Sequence, residues 1–97
     1  MRTFNPIFKM VVNVYPTSVC GEDLQKGEPL KVEESGEVLF DLKRKIDEMI
    51  LRALEPLKTG GKCFVEMRLT KSGEYYDSDE DWVEVDLSNK IVKYGSL

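Results

Sequence analysis

From Leu39 to Leu57 apolar side chains return at steps of three and four: Leu39, Leu42, Ile46, Met49, Ile50, Ala53, Leu54 and Leu57. Nothing else in the sequence restricts the fold as strongly, because this spacing lays one apolar stripe along an α-helix. The opposite face carries Asp41, Arg44, Lys45, Glu48, Arg52 and Glu55. Its i,i+4 ion pairs, Asp41–Lys45 and Glu48–Arg52, are worth only about 0.2–0.5 kcal/mol each. The stripe outweighs them, since each large side chain contributes about 1.5–3 kcal/mol once buried. Ser35 is placed to cap the helix and Glu37 suits its first turn. Pro56 cannot continue it, and Gly60-Gly61 finishes the turn. The spacing predicts one long helix over 36–55.

A helix with one apolar face needs a second layer to cover it. Residues 7–15 alternate, with Phe8, Met10, Val12 and Val14 on one side and Lys9, Asn13 and Tyr15 on the other. Residues 62–70 alternate likewise, Cys63, Val65, Met67 and Leu69 against Phe64, Glu66, Arg68 and Thr70. Both stretches read as half-buried strands. Leu30 and Val32 form a short second strand after a loop over 17–29. Tyr75 and Tyr76 begin a short return strand, followed by an acidic loop over 77–81. Val83, Val85 and Leu87 mark a further strand, and Ile91 to Tyr94 another. The 97 residues therefore predict one α+β domain, 1–97, in ββαβββ order, with a mainly antiparallel or mixed sheet packed on one long helix.

Composition removes several chemistries. The chain has no histidine, so an imidazole base, a Ser-His or Cys-His nucleophile pair and an imidazole zinc site are excluded. Its two cysteines, Cys20 and Cys63, form no CxxC motif. They read as small buried hydrophobes in a reducing compartment, with a Cys20–Cys63 disulfide as the alternative. No apolar run is long enough to span a bilayer, and Asn5 and Pro6 interrupt any signal-like segment, so the expected setting is cytoplasmic. A formal charge of -4, from 14 basic and 18 acidic residues, argues against a nonspecific nucleic-acid binder. Asp77, Asp79 and Asp81 begin like a calcium loop, but Trp82 stands where the EF-hand needs Gly and Ser88 where it needs Glu. Gly60-Gly61-Lys62 lacks the Ser or Thr and the earlier Gly of a phosphate loop. No metal, cofactor or catalytic constellation is expected.

The outward aromatics carry more information. Tyr15, Phe64 and Trp82 fall on the strand face away from the helix, and Phe40 lies off the helical stripe. Several rings on one sheet face point to a protein-binding patch or an oligomer interface, with a minor core beneath the 17–29 loop as the structural alternative.

Leu30, Val32 and Glu33, the turn at Ser35 and Gly36, and the run Leu42-Lys43-Arg44-Lys45-Ile46 together resemble the second strand and helix entry of ubiquitin-like proteins. The resemblance covers residues 30–47 closely and more of the chain in element order. It implies a β-grasp fold, in which the sheet wraps one diagonal helix, and a non-enzymatic protein acting through protein–protein contacts. It also implies conjugation through Gly95 after removal of Ser96 and Leu97, for which the freedom of glycine in a threaded tail would serve. The acidic segment 77–81 would steer basic partners. The rival expectation is a phage or viral inhibitor that blocks a host or defence protein, which fits the same size and acidity. A weaker one is a small-molecule or nucleotide site formed between subunits.

Overall fold

The computed structural model describes residues 7–16, 29–58 and 60–95. Strands β1 (Phe8–Pro16) and β2 (Leu30–Gly36) are followed by helices α1 (Leu39–Arg44) and α2 (Ile46–Leu54) and a 3-10 turn (Glu55–Leu57). Strands β3 (Gly61–Lys71), β4 (Glu74–Asp86) and β5 (Ile91–Tyr94) complete the chain. The five strands form one sheet in the order β2-β1-β3-β4-β5, and every neighbouring pair is antiparallel. The architecture is α+β.

Three expectations need correction. The sheet is antiparallel throughout rather than mixed, and the helical layer is two short helices rather than one diagonal rod, so the β-grasp arrangement is not this chain's. The helix expected over 36–55 begins only at Leu39, because Ser35 and Gly36 still belong to β2 and Val38 opens the helix without a side-chain cap. It then breaks at Lys45, whose N–H bonds the Leu42 carbonyl at 3.0 Å in a tightened turn while its own carbonyl accepts from Met49 at 2.9 Å. The flanking charges are compatible with the break. Lys43 and Arg44 sit in the last turn of α1 and Asp47 and Glu48 in the first turn of α2. Cations favour a helix C-terminus and carboxylates an N-terminus, so the order basic-then-acidic suits two ends meeting. The third correction is the acidic loop 77–81, which is the middle of β4, a strand of 13 residues.

One hydrophobic cluster joins the layers. Met10, Val12 and Val14 of β1, Val65 and Leu69 of β3, and Val83 and Val85 of β4 meet Met49, Ile50, Ala53 and Leu54 of α2. Leu42 brings α1 onto the same side, and Leu30, Val32, Ile46 and Met67 pack at the margin. Among the described residues no polar or charged side chain is buried. Cys63 is a free, buried thiol, and burial pushes its pKa up to about 11, which keeps it protonated and inert. Cys20, residues 17–28 of the loop expected over 17–29, and Ser96 and Leu97 lie outside the described residues.

Local chemistry fixes the connections. Ser72 (φ 50°) and Gly73 (φ 86°) make the two-residue turn between β3 and β4 with both φ positive, the hairpin geometry whose twist matches the strands. Gly60 is required by close approach: a Cβ there would lie 2.5 Å from the Val85 carbonyl oxygen. A bulge at Leu69/Thr70 leaves Tyr76 without an opposite residue. It turns that ring onto Phe8 at 5.4 Å between centroids, with Lys71 Nζ 5.9 Å from both rings. This cluster closes the far end of the core, where β4 from Glu74 to Asp81 is exposed.

Candidate binding face

The register of β1, β3 and β4 sets Tyr15 opposite Phe64 and Phe64 opposite Trp82. Their neighbours Val14, Cys63, Val65 and Val83 enter the core, so strand alternation turns the three rings away from the helices. The expected site residues thus stand in one row across the helix-free face, each half-buried. Tyr15 and Phe64 are 6.3 Å apart between centroids at 45°, and Phe64 and Trp82 are 5.2 Å apart at 61°, an edge-to-face pair. Lys62 Nζ lies 5.8 Å from the Trp82 ring. Burial first, and then the neighbouring Glu66 carboxylate bonded to its hydroxyl, raise the pKa of Tyr15.

The next row is polar. Asn13, Glu66 and Glu80 are aligned across β1, β3 and β4, followed by Val11, Arg68 and Ser78. Beside the rings the twisted sheet holds an open concavity of about 830 Å³, lined by Asn13, Lys31, Glu66, Arg68, Ser78 and Glu80 among others. Glu66 and Glu80 are directly opposed, a cross-strand pair of like charges that is unfavourable by itself. Sequence reasoning missed this pair because it depends on register, which strand alternation alone does not supply. Among the described residues no three His, Cys, Asp or Glu side chains are grouped to hold a metal ion. No helix there is long and apolar enough to cross a membrane.

The acidic segment has an unexpected local role. Asp77 Oδ1 accepts from the Ser78 N–H at 2.9 Å, Asp79 Oδ1 from Glu80 at 2.9 Å, and Asp81 Oδ1 from Trp82 at 2.8 Å. The Trp82 carbonyl accepts from the Gly95 N–H at 3.0 Å, so Trp82 turns its backbone groups toward the β5 side. By the two-residue period Glu80 and Ser78 do the same. β5 and Gly95 reach only as far as Trp82, so the Ser78 and Glu80 N–H groups face an edge with no described strand beside it, and the carboxylates cap them as Asp81 caps Trp82.

Gly95, the expected conjugation residue, is held to the sheet by that bond and has φ 60°. Phe40 is 69% exposed beneath Arg44, away from the aromatic row. Tyr94 crosses to the helical side, where its hydroxyl bonds Asp47; burial, then Asp47, raise its pKa. The three comparisons, with family models, with curated proteins and with solved structures, return no match.

Proposed function

We propose that this chain is a non-enzymatic protein-binding module that docks its partner on the helix-free face. The observation that carries this reading is the row Tyr15–Phe64–Trp82, three half-buried rings on a sheet face opposite the helices. Aromatic side chains of this kind, large and partly desolvated, dominate protein interfaces when a partner completes their burial. Their tilts of 45° and 61° suit an interdigitated contact better than the flat stacking of a base or sugar. Around the rings the face carries both signs, Glu66 and Glu80 with Lys31, Lys62 and Arg68, so the partner surface combines apolar side chains with polar groups. The free thiol of Cys63 supports a cytoplasmic setting.

An adaptor and a phage or viral inhibitor would both use this face. Conjugation through Gly95 is not carried into the reading, since the β-grasp arrangement that implied it is not observed and Gly95 is tied to the sheet.

Affinity capture from the native host tests the proposal when wild type is run beside Phe64→Ala/Trp82→Ala. The expected result is a protein retained by wild type and lost by the folded variant. Equal capture by both would refute the assignment of the face.

A further inference from the structure

Among the described residues the sheet ends in β2 on one side and β5 on the other, and β4 runs past β5, so β2 and the 77–81 segment of β4 both stand as edges and are treated differently. On β4 the exposed edge N–H groups are capped by Asp77, Asp79 and Asp81, a defence against strand addition. At the other end β2 pairs with β1 on one side, and no described strand lies on its outer side. No side chain of β2 caps a backbone N–H among the described residues. Its charged groups reach inward or along the strand instead. Glu33 meets Lys9 and Lys31 at 3.4 Å each, and Glu34 meets Arg52 at 2.9 Å and Lys45 at 3.7 Å.

We propose that the outer edge of β2 pairs with the same edge of a second copy, antiparallel about a two-fold axis through Val32. Opposed residues in an antiparallel pair share a face, so only registers that keep this parity are available. With the axis at Val32, Val32 meets Val32 of the second copy on the helical side. On the other side Lys31 meets Glu33 of the second copy, and Glu33 meets its Lys31. Moving the axis by one residue sets Glu33 against Glu33 or Lys31 against Lys31. Of the registers centred in β2, only the one at Val32 opposes Lys31 to Glu33 twice, and this self-complementarity selects that register and a second copy as the occupant. The partly exposed Leu30 and Val32 gain burial in the same step. The result is one continuous ten-stranded sheet with both helical layers on one side. This association involves an edge separate from the aromatic row and stands independently of the partner-binding proposal.

The test is a charge swap read by analytical ultracentrifugation across micromolar to millimolar concentration, the range suited to a small interface. Wild type is expected to dimerise. Lys31→Glu alone and Glu33→Lys alone each set like charges opposite one another twice and weaken the dimer by roughly tenfold. The double variant Lys31→Glu/Glu33→Lys restores opposite charges and the dimer. Circular dichroism confirms that each variant is folded. A wild type that stays monomeric, single variants that dimerise as well as wild type, or a folded double variant that stays monomeric would each overturn the proposal. Hydrogen exchange of wild type reads the same contact without substitution. Protection of β2 amides should grow with concentration, and constant protection refutes the pairing.

Discussion

The two faces of this sheet are built from the same strands and differ in what completes them. On the covered face Met10, Val12, Val14, Leu69 and Val83 are fully buried against α2. On the free face Tyr15, Phe64 and Trp82 are half-buried by one another amid Lys62, Glu66, Arg68 and Glu80. The contrast separates two uses of apolar surface. The covered face has all its neighbours within the chain and supplies stability. Among the described residues the rings of the free face are only half-buried, and the proposed partner would complete their burial.

Substitutions sort by face if this is correct. Ile50→Ala leaves a cavity under the covered face and is expected to cost about 2–5 kcal/mol in chemical denaturation. Gly60→Ala drives a methyl against the Val85 carbonyl, and the backbone shift is expected to cost about 1–3 kcal/mol. Trp82→Ala removes a half-buried ring and one edge-to-face contact, an expected loss of about 1–2 kcal/mol. The same substitution should cost about 2 kcal/mol or more in partner affinity. If Trp82→Ala destabilises as much as Ile50→Ala, the row is a second core and the distinction between the faces fails.

The smallest effect concerns the ion pairs of β2, which join it to Arg52 of α2, to Lys45 between the helices and to Lys9 of β1. Arg52 first, then Lys45, hold the Glu34 carboxyl below its ordinary value of 4.5, and Lys9 and Lys31 do the same for Glu33. Lowered folded pKa values give stability that is complete above the ordinary value and lost as pH falls through the lower one. Glu34→Gln should flatten that acid limb while leaving stability at neutral pH close to that of wild type, as expected for an exposed ion pair. Salt at 1 M, where screening reaches about 3 Å, should flatten it too.

The legible parts of the molecule are those with a local period. Alternation in 7–15 and 62–70 identifies β1 and β3, and with Trp82 it places the three rings on one face. The helical stripe from Leu39 to Leu54 identifies the covering layer. Its break at Lys45 falls where Lys43-Arg44-Lys45 gives way to Asp47-Glu48, but the apolar stripe runs on through it. The segment 77–81 has no apolar residue to alternate with its polar ones, and Asp has low strand propensity, so the stretch reads as a loop. Pairing with β3 and carboxylate capping of the edge override that preference. Strand order and direction are set by long-range pairing, which no local period encodes. The opposition of Glu66 and Glu80 has the same origin.

Trp82 is the only tryptophan in the chain and sits in the aromatic row, so its emission reports directly on the free face. Titration with the partner captured by wild type should shift that emission to the blue as the ring loses water. Saturable binding that leaves it unchanged would contradict the account.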